Sequence, residues 1–155
     1  MTPTIQIRLV EQSCPAGLRY AETQATTPPK DAVLCCEGMC LKGETARRAA
    51  NLIAHKLLPD RAVRICHGGL LEEAGGMKDL VRRAERVLVL DGCGMACGAR
   101  LVEGAFPEFR PQVVFTDRLF DCDPNLFGVD EMLDAEINAN ARQVAEEIAQ
   151  RYFNS

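Results

Sequence analysis

Val87-Leu88-Val89-Leu90-Asp91-Gly92-Cys93-Gly94-Met95-Ala96-Cys97 is the stretch that decides the fold. Four apolar residues run without a polar interruption, as in a strand covered on both faces. Asp91-Gly92-Cys93-Gly94 then supplies turn residues, and a short helix is expected around 95–105. Strand, glycine-rich turn and helix make half of a βαβ unit.

The same order recurs on either side. Ala32-Val33-Leu34-Cys35-Cys36 is an apolar run. A helix over 44–58 follows it, with Ala46, Ala49, Ala50, Ile53 and Leu57 at helical spacing and Pro59 as its stop. Ala62-Val63-Arg64-Ile65-Cys66 is the next strand and 77–85 the next helix. Val113 to Asp117 is the fourth strand. A last helix is expected from Asp130, a good N-cap type, with Leu133, Ile137, Val144, Ile148 and Tyr152 as its apolar stripe. This alternation predicts a single-domain α/β chain, a three-layer fold with a mainly parallel sheet of four to five strands, flavodoxin/Rossmann-like.

Outside this repeat, Ile5-Gln6-Ile7-Arg8-Leu9-Val10 alternates apolar and polar residues and predicts a half-exposed edge strand. Residues 11–31 carry Cys14-Pro15, Gly17 and Pro28-Pro29 and predict a surface loop or arm. The expected organisation is an edge strand plus loop or arm over 1–31 and an α/β domain over 32–155.

Composition narrows the function. A 155-residue chain with 47% hydrophobic and 26% charged residues is long enough and apolar enough for a full core. Its net charge of −4 argues against non-specific nucleic-acid binding, which needs a basic face. No apolar run approaches the ~20 residues that span a bilayer, so no membrane partner is expected. Arg8 interrupts the only apolar stretch near the start, so no secretory leader is expected and the location read from the sequence is cytoplasmic.

Cysteine is the unusual number, with eight in the chain. A domain of this size needs no disulfide staples, and reduced cytosolic thiols in clusters read as metal ligands or redox groups. Cys36, Cys66 and Cys93 fall at the ends of three successive strands, and Cys40 and Cys97 at the starts of following helices. All carboxyl ends of a parallel sheet lie on one edge, where open α/β sheets bind ligands. Five thiols distant in sequence therefore share that edge. Two matching segments, Cys36-Glu37-Gly38-Met39-Cys40 and Cys93-Gly94-Met95-Ala96-Cys97, have zinc-ligand spacing. Neighbouring strand residues point to opposite faces, which sets Cys35 apart from Cys36 as a small buried hydrophobe. Cys14 and Cys122 read as loop thiols.

Leu90-Asp91-Gly92-Cys93-Gly94-Met95-Ala96-Cys97 resembles the DGC-domain family, named for its Asp-Gly-Cys motif and associated with zinc binding. Cys36-Glu37-Gly38 and Ile65-Cys66 before a glycine-rich loop resemble two further family segments. The resemblance runs from about residue 32 to 120. It implies Cys36, Cys66, Cys93 and Cys97 as zinc ligands, with Cys40 as an extra or exchangeable one. It attaches no reaction to the chain. Asp91 and Asp117 also end strands and are expected to orient loop N–H groups or ligands, Asp91 foremost because the family motif contains it.

The sequence supports a second reading, a thiol-based redox or sulfur-transfer enzyme in which Cys40 or Cys97, at a helix N-terminus, is a low-pKa nucleophile. Other chemistries fit less well. Gly38 to Thr45 has Walker A spacing, but Glu44 stands where the phosphate-binding lysine belongs. A phosphatase loop starting at Cys35 or Cys36 lacks its arginine. His55 reads as solvated. His67, next to Cys66, reads as a loop residue with the potential to be a ligand or a proton carrier. Whether the chain pairs with a protein partner or with itself is open at this stage.

Overall fold

The structure is a computed structural model and describes residues 2–154. Four strands form one all-parallel sheet in the order β2-β1-β3-β4. They are β1 (Asp31–Cys35), β2 (Ala62–Arg64), β3 (Val87–Asp91) and β4 (Gln112–Phe115). The register pairs Cys35 with Leu90 and Asp91 with Phe115, which aligns the carboxyl ends of β1, β3 and β4. The helices are α1 (Pro15–Gln24), α2 (Leu41–Leu52), α3 (His67–Leu70), α4 (Gly76–Arg83), α5 (Cys97–Ala105) and α6 (Asp134–Phe153).

Two cores sandwich the sheet. Val33, Cys35, Leu88 and Leu90 pack one face against α2 and α6, through Ala46, Ala49, Val144 and Ile148. Ala32, Leu34, Val63 and Val89 pack the other face against α1, α4 and α5, through Ala21, Leu80, Val81 and Val102. The alternation along each strand follows from the two-residue period of side-chain direction. No helix among the described residues is long and apolar enough to cross a membrane.

Three expectations are corrected. Residues 5–10 form no strand: only Val10 bridges, in parallel, to Glu72, and Ile5 is 87% exposed. Alternation is a local property, whereas pairing needs a free sheet edge; β2 at that side is only three residues long. The supposed 11–31 loop contains α1. Pro15 is at its first position, where the missing N–H costs nothing, and the Cys14 sulfur accepts the Gly17 N–H at 3.4 Å. The turn-like Cys-Pro-x-Gly is thus a helix start. The last helix begins at Asp134 rather than Asp130, after a 3-10 turn over Val129–Glu131. Leu133 is therefore exposed, and Phe153 rather than Tyr152 ends the buried stripe.

The start of α2 carries a compact ion-pair group. Arg47 and Arg48 each donate to the Glu44 carboxylate at 2.7 Å, and Arg48 reaches Asp134 on α6 at 2.7 Å. Bonds from both guanidinium groups hold the Glu44 pKa down at about 2, against an ordinary 4.5. A depressed carboxylate stabilises the fold above its unfolded pKa and loses that contribution as pH falls through the folded one. After solvent screening the effect is about 1 kcal/mol. Denaturant melts of wild type and Glu44→Gln should therefore differ at pH 6 and converge toward pH 2. A difference that stays constant across this range would refute the assignment.

Candidate metal centre

β1 leads to β2 on one side and β3 leads to β4 on the other. The loops leaving β1 and β3 thus part at a topological switch point, the usual ligand crevice of such a sheet. Those two loops are the two C-x3-C segments. Both lie backbone to backbone against the first turn of α2. A Cβ on Gly92 would lie 2.7 Å from the Lys42 carbonyl carbon and 2.8 Å from the Gly43 nitrogen. A Cβ on Gly43 would lie 2.7 Å from the Gly38 oxygen. Side chains at these glycines would force the loops away from the start of α2.

Asp91 is buried at the end of β3, and its carboxylate accepts the Gly98 N–H at 2.7 Å and the Ala99 N–H at 3.0 Å. Two of the unpaired amides at the start of α5 are thereby satisfied, and the helix dipole meets a negative group. This is the N–H-orienting role expected of Asp91. The chain reaches α5 through Ala96, a non-glycine residue in the left-handed region at φ 51°. Gly98 packs so closely that a Cβ there would lie 2.9 Å from Val89 and 3.0 Å from Asp91.

Each candidate thiol has a defined place. Cys36 is buried just past β1, its sulfur accepting the Gly38 N–H at 3.3 Å. Burial pushes its pKa up, the Gly38 and Gly92 amides pull it down, and nearby Cys97 and Asp91 push it up again. Cys40 is the N-cap of α2, and its sulfur accepts the Gly43 N–H at 3.4 Å. A Cβ at Gly38 would be 3.1 Å from the Cys36 sulfur and 3.8 Å from that of Cys40, so these two sulfurs flank one glycine. Cys97 is the exposed first residue of α5, with the Arg100 guanidinium 3.7 Å from its sulfur. Cys93 is half-buried in the β3 loop, beside Lys42, which pairs with Asp117 at 3.0 Å.

Cys66 caps the four-residue α3 and is exposed. It opens on a cleft of about 280 Å³ shared with Tyr20, His55, Arg64 and Met77, on the β2 side. The edge therefore brings Cys36 close to Cys40 and Cys97, and Cys66, just past β2, lines a cleft with Glu37 of the β1 loop. Among the described residues no group of three or more His, Cys, Asp or Glu side chains is arranged to hold a metal ion.

Cys35 and Cys14 take roles the sequence did not suggest, and His67 keeps the donor potential read for it. Cys35 is not merely a small hydrophobe: Arg64 donates to its sulfur at 2.8 Å, and the thiol donates to Glu37 at 3.4 Å. Burial pushes this thiol well above its usual range, so it stays protonated. The His67 Nε2 is buried without a hydrogen-bond partner, and burial lowers this imidazole's pKa, keeping it neutral. Cys14 is a helix cap. The signal missed for Cys14 and Cys40 was Cys-x-x-Gly, in which sulfur takes the usual hydroxyl's place at the N-cap. Glu44 is committed to its arginines, and no phosphate-binding lysine replaces it.

The donor set suits a thiophilic divalent ion. Thiol and imidazole side chains are the donor types such an ion takes, and the Cys36 and Cys40 sulfurs each accept a backbone N–H group. The family model described as DGC domain matches residues 32–150. Nothing among the curated proteins or the solved structures matches the chain.

Loss of the Asp91 carboxylate leaves two buried amides unpaired. Asp91→Ala should cost about 3 kcal/mol, or roughly 10 °C in Tm by circular dichroism. Asp91→Asn, which keeps one acceptor oxygen, should lose less. A wild-type Tm for Asp91→Ala would show that the bonds to α5 contribute nothing.

Proposed function

Because the chain belongs to the DGC-domain family, we propose that it binds zinc through cysteine thiolates at the carboxyl edge of its sheet and handles the ion reversibly. The observation that carries this reading is that both C-x3-C loops meet the first turn of α2 at the switch point, with Cys36 near both Cys40 and Cys97. Cys36, Cys93 and Cys97 are the constant ligands. Cys66 or Cys40 supplies the fourth thiolate, and Cys40 is favoured by its place across Gly38 from Cys36. Zinc in an all-protein thiolate site needs no open position.

Reversible handling is favoured over a structural role for a packing reason. Both cores are closed by apolar side chains, so folding does not wait on the ion. A classical structural zinc, by contrast, supplies the folding energy of a chain that has too small a core. Exposure of Cys97 and Cys66 gives a competing ligand access to the site.

Protein purified reduced, without chelator or a metal-binding tag, should carry about one zinc per chain. Chelation should release it and leave the far-UV circular dichroism spectrum intact. Cys97→Ser and Cys93→Ser should each lose most of the metal, and Cys14→Ser should keep it. Comparing Cys40→Ser with Cys66→Ser then identifies the fourth ligand. Metal-free protein with every exposed thiol freely titratable would overturn the zinc reading. In that event Cys40, whose sulfur is held by a helix N-terminus, becomes the leading candidate as a nucleophile.

A further inference from the structure

Gly38 stands between Cys36 and Cys40 in the sequence and beside both of their sulfurs in space. A Cβ there would lie 3.1 Å from the Cys36 sulfur and 3.8 Å from the Cys40 sulfur. Glycine therefore leaves clear the space that borders both. Each sulfur accepts one backbone N–H, from Gly38 at 3.3 Å and from Gly43 at 3.4 Å. Turning either side chain about its Cα–Cβ bond gives up no more than that one contact.

Other thiols of this edge are placed differently. Cys35 is fully buried, its sulfur bonded by Arg64 at 2.8 Å and its thiol donating to Glu37 at 3.4 Å. It also points to the opposite face of β1 from its neighbour Cys36. In the second C-x3-C loop a Cβ at Gly94 would meet nothing within 4 Å, so neither the Cys93 nor the Cys97 sulfur borders that glycine. Ala96 turns the chain through the left-handed region just before Cys97, whose exposed sulfur lies 3.7 Å from the Arg100 guanidinium. The two loops share a spacing but not an arrangement of sulfurs.

We propose that Cys36 and Cys40 are a redox-active dithiol, a modification site at which a hydroperoxide closes one intramolecular disulfide. Cys40 is the more accessible of the two, and Cys36 is buried behind it. The Cys40 sulfur attacks one peroxide oxygen and the O–O bond breaks. An alcohol leaves, or water when the oxidant is hydrogen peroxide, and Cys40 becomes a sulfenic acid. The Cys36 sulfur then attacks the Cys40 sulfur, the S–S bond forms, and the sulfenic oxygen leaves as water. Two thiols lose two electrons and two protons, and the peroxide takes up both. The pairing stands on the sulfur geometry alone. Its consequence, the loss of two thiolates from the edge and release of a bound ion, rests on the zinc reading above.

The test uses the full chain, reduced, stripped of metal by a chelator and then treated with hydrogen peroxide. Free thiols are alkylated and the chain is cleaved after Glu37, which separates Cys36 from Cys40. Mass spectrometry then reads which fragments remain joined. The expected product is a single disulfide between Cys36 and Cys40, with the alkyl group on Cys35 and with Cys93 and Cys97 both alkylated. Cys36→Ser, checked for folding by circular dichroism, should not form it. A bridge from Cys35 to Cys40, a Cys93–Cys97 or cross-loop bridge in its place, or oxidation to sulfinic acid without any bridge would overturn the inference. Zinc content supplies a separate readout, since zinc-loaded protein should release its ion as the bridge closes. The Cys36–Cys40 disulfide in a chain that binds no zinc would sustain the inference and sink the zinc reading. A chain that binds zinc but never forms this disulfide would do the reverse.

Discussion

A buried carboxylate sets the geometry of this protein's carboxyl edge. Asp91 sits inside a sheet edge with no access to water, and an unpaired charge there would be costly. It is held by two backbone N–H groups at the start of α5, and they are held by it. The direction of α5, the close approach of Gly98 to β3 and the placement of Cys97 on the first turn all follow from this one exchange. The left-handed Ala96 and the side-chain-free Gly92 are the local consequences: the chain must turn sharply between Asp91 and Cys97 while lying against the start of α2.

That constraint explains why the thiols gather where they do. The loop after β3 cannot relax outward, because its backbone is pressed against Lys42 and Gly43. The loop after β1 is locked from the same side through Gly38. Cys36 and Cys40 then stand on one loop, and Cys93 and Cys97 on the other. Sulfur also serves in the scaffold itself. Cys14 and Cys40 cap helices with bonds that serine or threonine usually supply, and Cys35 joins Arg64 and Glu37 in a neutral-thiol network behind the edge. One residue type thus serves as cap and core contact, and by our reading as ligand, and only position distinguishes these uses.

The repeated strand and helix pattern was legible because its physics is local. Val87–Asp91 is apolar at every strand position before its aspartate, since both faces are covered, and its bounds were read without error. Pro59 marked the end of the α2 segment, whose final turn is π-helical over Ile53–Leu57. The failures lie where a local pattern has two structural solutions. Ile5–Val10 alternates like a strand, yet nothing in its own sequence provides an edge to pair with. Cys14-Pro15 reads equally as a turn or as a cap followed by the first helical residue, and the helix wins because Ala21 packs against Gly76 of α4.

By itself the sequence determined the α/β layering, the family motif and the set of thiols at the carboxyl edge. These depend on residue order and on the two-residue and helical periods, which a chain carries with it. Tertiary structure alone decided which thiols are neighbours. Cys40 approaches Cys36 across Gly38, Cys97 comes within electrostatic reach of Cys36, and Cys66 opens on a cleft that Glu37 of the loop after β1 also lines. The physical reason is that the strand order β2-β1-β3-β4 and the glycine contacts between loops are non-local. Spacing within each loop fixes which residues can meet within it, but only packing between loops fixes which meet across them.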